Sequence, residues 1–130
     1  MKKMIKQFVS KKKIETYWNT RTPQKWYSDK KEELTFFNEL SYKRYNIYYK
    51  YLGTHAEFEY HQGEKVLEVG VGMGTDLASY AKNKSIVSGI DLSPNAITFT
   101  KKQFESLGLE AEKLVIGDAE NLPFEENYFD

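Results

Sequence analysis

The hydrophobic and polar positions change period about halfway along the chain. In the first half the apolar residues recur at helical spacing. Ile5, Phe8 and Val9, with Lys12 on the same row, predict a helix over residues 3–17 with one apolar stripe. Pro23 interrupts that pattern and a second begins near Lys31. There Leu34, Phe37, Leu40, Tyr45, Tyr48 and Leu52 trace a helix over residues 31–52, with Gly53 as its natural stop. A short helical turn over residues 54–61 follows, ended by Gly63. No stretch of this half alternates with the period of two that marks a strand.

Beyond residue 63 short apolar runs alternate with amphipathic stretches. Lys65–Val69 reads as a first strand, and Thr75–Lys82 as a helix with Leu77, Ala78 and Ala81 on one face. Residues 86–90 form a second strand. Ser93-Pro94 opens the next helix, the serine as N-cap and the proline at the first helical position, where its missing N–H costs nothing. That helix buries Ile97, Phe104 and Leu107 and ends at Gly108, and residues 114–116 make a third strand. Strands separated by single helices imply parallel pairing through right-handed crossovers. The expected fold class is α/β: a Rossmann-like, three-layer parallel sheet, of which this chain carries the first three strands, preceded by an N-terminal helical segment. Residues 1–62 form a leader or cap and residues 63–130 the first half of the sheet domain.

The 130 residues amount to about one domain, and 40% hydrophobic content is enough to bury a core. The 19 basic and 19 acidic residues cancel, which gives no argument for nucleic acid or an anionic membrane as partner. The charges are uneven, however. Residues 1–13 hold six lysines and no acid, whereas residues 105–130 hold eight acids and only Lys113. The lysine-rich start reads first as a solvated helix face. With no cysteine, disulfides, thiolate metal sites and cysteine nucleophiles are excluded, and no metal site is expected. The absence of a long apolar run or a secretory h-region points to a cytoplasmic protein.

The leader also holds both tryptophans and eight of the ten tyrosines. Aromatics at helical spacing are usually core. Tyr17 and Trp18, close to the break at Pro23, are the candidates for lining a pocket instead. His55 and His61, apart from each other and from any acid cluster, read as surface or cap residues.

Candidate chemistry gathers at the strand ends, where an open parallel sheet binds its ligand. Strand one runs out through Glu68-Val69-Gly70-Val71-Gly72-Met73-Gly74-Thr75. Glycines at alternate positions let a ligand lie against the backbone, and the following helix offers unpaired N–H groups. The dinucleotide fingerprint G-x-G-x-x-G is not met, because Thr75 takes its last place. Glu68 would repel a pyrophosphate but suits an ammonium group. Strand two ends at Asp91, 21 residues after Gly70, about the distance at which an acid meets a ribose diol. Asp118 follows strand three, where its carboxylate could accept from an exocyclic amine while the N–H of Ala119 donates to a ring nitrogen.

At these residues the sequence resembles the class I S-adenosylmethionine-dependent methyltransferases, especially the small-molecule branch related to ubiquinone and menaquinone biosynthesis. Val66-Leu67-Glu68-Val69-Gly70-Val71-Gly72-Met73-Gly74-Thr75 is similar to the family's first motif. Gly89-Ile90-Asp91-Leu92-Ser93 resembles its second, and Gly117-Asp118-Ala119-Glu120-Asn121-Leu122-Pro123-Phe124 its third. The resemblance implies S-adenosyl-L-methionine as cofactor. It sets Glu68 and the backbone of Gly70, Val71, Gly72 and Gly74 against the methionine moiety, Asp91 at the ribose, and Asp118 with Ala119 at the adenine, and counts Leu92 among the cofactor-binding residues. Tyr17-Trp18, Phe36-Phe37-Asn38-Glu39 and Arg44-Tyr45 also resemble the leader of a bacterial subgroup of this family, in which leaders cap the pocket.

The resemblance further implies that strands four to seven, and the loop beside the methyl acceptor, lie beyond Asp130. An unpaired edge beside strand one would then invite self-association, and the 130 residues alone are expected to transfer no methyl group. No residue is assigned a catalytic role. The expected function is methyl transfer to a small-molecule acceptor, with this chain supplying the cofactor-binding half. Alternatives are a non-catalytic module that binds adenosylmethionine or a partner chain, and an NAD-type oxidoreductase, against which Glu68 and Thr75 speak.

Overall fold

The computed structural model describes residues 9–21 and 33–130. Three strands, β1 (Lys65–Val69), β2 (Ile86–Asp91) and β3 (Lys113–Ile116), pair in parallel in the order β1-β2-β3. The register sets Glu68 beside Gly89 and Asp91 beside Ile116. Helix α4 (Thr75–Lys82) connects β1 to β2, and α5 (Pro94–Leu107) connects β2 to β3. Both crossovers run the same way along the sheet, so both helices pack on one face and on each other. This is the Rossmann-like arrangement that the strand-helix alternation predicts.

The core between sheet and helices is built from Val71, Leu77, Ala78, Val87, Ile97 and Phe104. Within β2, which is buried on both faces, Val87 joins this core while Gly89 lets Val71 and Leu77 close over the strand. A Cβ on Gly89 would stand 2.5 Å from Val71 Cγ1. Helix α5 begins and ends as its sequence dictates. Ser93 Oγ accepts from the Ala96 N–H at 3.2 Å, Pro94 stands at the first position, and Gly108 closes the helix at φ 65°.

The leader departs from its expected outline. Helix α1 covers Lys11–Arg21, four residues beyond the expected end at 17, and none of its residues is buried. Ile5, Phe8 and Pro23 lie outside the described residues, and Val9 is exposed. The single helix expected over residues 31–52 is instead α2 (Glu33–Lys43), a widened π-helical turn (Arg44–Tyr48) and, after a break at Tyr49, the short α3 (Leu52–His55). Gly53 thus sits inside α3 rather than ending a long helix. The π turn occurs where Arg44 and Tyr45 are drawn onto the start of α4, a tertiary pull that a smooth helical period does not register.

Phe37 and Leu40 of α2 are buried, packing with Met73, Phe36 and Phe99, so these aromatics are core as their spacing predicts. Leu34 and Tyr48 of the same pattern are exposed. After α3, Glu57 turns through φ 50° into a 3₁₀ turn, Phe58–Tyr60, whose buried Phe58 stacks edge-on against Tyr80. His61 Nδ1 lies 2.6 Å from Glu64 Oε2, so it does have an acidic neighbour. At the far end of the described chain, the Asp130 N–H donates to the Lys65 carbonyl at 3.0 Å, beside β1. No helix among the described residues is long and apolar enough to cross a membrane.

Candidate functional site

The carboxyl ends of the three strands open into one cavity of about 720 Å3. Of the residues singled out from sequence, Glu68, Gly70, Val71, Gly72, Asp91, Leu92, Asp118 and Ala119 all line it. Gly74 does not. It adopts φ 79° as the residue before α4, and a Cβ there would stand 2.7 Å from Thr100 Cγ2, so its lack of a side chain serves the packing of α4 on α5. Gly70 and Gly72 also have positive φ, at 79° and 55°, but a Cβ on either would meet nothing within 4 Å. Their open side is the cavity itself, the condition for a ligand to lie on the backbone.

Asp91 holds the turn in place. Its Oδ2 accepts the Gly72 N–H at 3.0 Å and its Oδ1 accepts the Ser93 N–H at 2.8 Å. Each oxygen keeps a further lone pair for a hydroxyl donor.

Glu68 is the electrostatic anomaly. Burial, reinforced by the negative charge of Asp76, pushes its carboxyl up to about 8. Its Oε2 is buried and has no hydrogen-bond partner among the described residues. A buried carboxyl oxygen without a donor is costly, and a cationic ligand would relieve it.

Next to Glu68, Asp76 receives the Arg44 guanidinium as a fork, Nε on Oδ1 at 2.8 Å and Nη2 on Oδ2 at 2.5 Å. Tyr45 OH donates to Asp76 Oδ1 at 2.6 Å and lies 2.9 Å from Ser79 Oγ. Burial, then the bond to Asp76, raise the Tyr45 hydroxyl well above its ordinary value, which keeps it a donor. This network fixes the leader to the first turn of α4 and puts Arg44 on the cavity wall.

Helix α1 covers the cavity from the other side. Lys11 pairs with Asp118 and with Glu120, the latter at 2.6 Å. At the opposite end Asn19 Oδ1 accepts from Ser93 Oγ at 3.0 Å and from the Asn95 N–H at 3.1 Å. Along the helix Lys11, Ile14, Trp18 and Arg21 line the cavity. Their steps of three, four and three place them on one helical face. Trp18 is therefore a lining residue as the sequence suggested, whereas Tyr17 is not among them. Lys11, Arg21 and Asp76 escaped the sequence reading, and Arg44 entered it only as part of the leader's resemblance. The i, i+3, i+7, i+10 row was legible, but nothing local said which way it faced.

Asp118 is thus already engaged. Lys11 occupies Oδ2 and lowers the carboxyl's pKa, and the Glu120 N–H sits on Oδ1 at 3.0 Å.

The chain is similar to known methyltransferases. The methyltransferase domain family matches residues 66–130. Similar proteins include phthiotriol/phenolphthiotriol dimycocerosates methyltransferase of Mycobacterium leprae, 40% identical over 70 residues, covering 52% of this chain and 25% of that protein. Phosphatidylethanolamine N-methyltransferase of Cereibacter sphaeroides is 36% identical over 99 residues, 69% of this chain and 48% of that protein. Demethylmenaquinone methyltransferase of Staphylococcus epidermidis is 32% identical over 96 residues, 72% of this chain and 38% of that protein. The chain thus spans between a quarter and about half the length of these relatives. With its parallel sheet, glycine turn and strand-end acids, the chain belongs to the methyltransferase domain family, in the class I, Rossmann-like form.

Proposed function

We propose that this chain binds S-adenosyl-L-methionine and serves the transfer of its methyl group to a small-molecule acceptor. The observation that carries the reading is the convergence of Glu68, Asp91 and Asp118 on one cavity at the strand ends. Three features of the cavity suit an adenosyl amino acid. The unpartnered Glu68 Oε2 answers an ammonium group, the bare faces of Gly70 and Gly72 admit the chain between sulfur and sugar, and Asp91 retains lone pairs for two ribose hydroxyls. Leu92 supplies apolar surface beside the sugar, and Asp118 with the Ala119 N–H reads the adenine edge. Arg44, with two of its N–H groups on Asp76, has others to offer the cofactor's carboxylate.

The cofactor brings an electrophilic methyl on a sulfonium. The residues here hold it, orient it and exclude water, the positioning part of the catalysis. Residues 1–62 act as the cap, with α1 lying against the cavity, over the domain that begins near residue 63. No residue of this chain is assigned as a general base. Relatives named for menaquinone and lipid acceptors support a small, apolar acceptor rather than a macromolecule.

Calorimetric titration with S-adenosylhomocysteine and with NADH tests the reading. Saturable heat with the first and none with the second is the expected result. Binding of NADH alone would overturn it.

A further inference from the structure

Among the described residues three cations line the cavity, and they are not equivalent. Lys11 is held by Asp118 and Glu120, and Arg44 by Asp76. Arg21 meets no carboxylate among the described residues. Its guanidinium carbon lies 4.5 Å from the centre of the Tyr17 ring. A guanidinium lying over an aromatic face keeps its N–H fork in the plane, free for a bidentate acceptor.

On the same face of α1, Ile14 is 38% and Trp18 57% exposed, both bordering the cavity. Leu40 and Met73 add apolar surface from α2 and from the glycine turn. Among the described residues, the leader-side wall therefore combines apolar surface with one cation, Arg21, that meets no carboxylate. The opposite wall carries the acids. Arg21 lies ten residues from Lys11, about 15 Å along the helix axis, so the charge stands at the end of α1 remote from the adenine-reading loop. A cavity of about 720 Å3 lies well up the range for small-molecule sites, which suits two ligands side by side.

We infer that this wall is the acceptor subsite and that it selects an apolar molecule bearing one carboxylate, anchored by Arg21 and packed on Trp18 and Ile14. The inference rests on the adenosyl reading of the opposite wall. A single negative charge is specified because Asp91, and the pair Asp118 and Glu120 that shares the one charge of Lys11, border the same space and disfavour a dianion. A neutral or cationic acceptor of the same shape forgoes the charge-assisted fork.

The test titrates the 130-residue chain, saturated with S-adenosylhomocysteine, with laurate, dodecanol and dodecylamine, following the heat of binding by calorimetry. Laurate is expected to bind at least tenfold tighter than dodecylamine, with dodecanol between them. Arg21→Gln should bring laurate down to the affinity of dodecanol, and Trp18→Ala should weaken laurate and dodecanol alike. Equal affinity for laurate and dodecanol in the unsubstituted chain overturns the proposal. So does a laurate preference that survives Arg21→Gln. If Arg21→Gln weakens S-adenosylhomocysteine as much as laurate, Arg21 serves the cofactor's carboxylate and the proposal again falls. The preceding calorimetry separates the two readings: no heat with S-adenosylhomocysteine sinks the adenosyl assignment, whereas normal heat without a laurate preference sinks only the subsite.

Discussion

The Gly72 N–H donates to Asp91 Oδ2 at 3.0 Å, tying the glycine turn after β1 to the end of the neighbouring β2. One carboxylate therefore shapes the turn and, in the proposed complex, receives the ribose. Asp91→Ala should weaken S-adenosylhomocysteine binding by about 1–3 kcal/mol, the usual cost of deleting a charged hydrogen-bond partner. Calorimetry measures it, and unchanged affinity would remove the ribose assignment. Asp91→Asn, which keeps one oxygen acceptor, should lose less.

Glu68 gives the chain a particular pH dependence. Its carboxyl ionises near 4.5 when exposed, but burial and Asp76 hold the proton up to about 8 in the folded chain. Between those values the folded state carries a proton that the unfolded state has released. The associated stability is complete below about 4.5, declines as pH rises and is lost above about 8, with a slope of at most about 1.4 kcal/mol per pH unit. Denaturant titrations across that window should show the decline, and Glu68→Gln should flatten it. A ligand's ammonium group must displace this proton, so binding near pH 7 should release it, seen as a heat that varies with the buffer. A buffer-independent heat would end the ammonium assignment.

Arg44→Met tests the leader's anchor. The Arg44 charge pulls the Glu68 carboxyl down while Asp76 pushes it up, so losing the guanidinium should extend the Glu68 window to higher pH. The partly exposed pair should cost about 1–3 kcal/mol when broken. Thermal melts at several pH values report both effects.

Gly74→Ala should be among the most damaging single-atom changes here. The new Cβ meets Thr100 Cγ2 at 2.7 Å and Oγ1 at 2.8 Å while the backbone sits at φ 79°. Overpacking and left-handed strain together predict a loss of about 2–4 kcal/mol. Adding Thr100→Ala should restore the packing part but not the backbone part, a coupling that a double-mutant cycle reads directly.

Lys11→Met should loosen α1. Hydrogen exchange of the Lys11–Arg21 amides should quicken at low salt, and the difference from the unsubstituted chain should shrink in about 0.5 M salt, because the pairs to Asp118 and Glu120 are exposed. Identical exchange in both chains would show that Lys11 does not hold the helix.

The Rossmann-like half was legible because its signals are local. Periodicity, the Ser93-Pro94 start, Gly108 and the glycine turn each act over a few residues, and an acid at a parallel strand's end reaches the same rim wherever the strand lies in the sheet. So the sequence by itself determined the strand-helix order and the set Glu68, Asp91 and Asp118. It did not determine what those acids would meet. Lys11 reaches Asp118 across 107 residues, and Arg44 reaches Asp76 across 32. Gly74 resembles a ligand-binding glycine until α5 is packed against it. The proton on Glu68 depends on burial by elements that no window around residue 68 contains. Tertiary structure decided these because desolvation, charge pairing and steric contact act through space, and only the packed chain sets those distances.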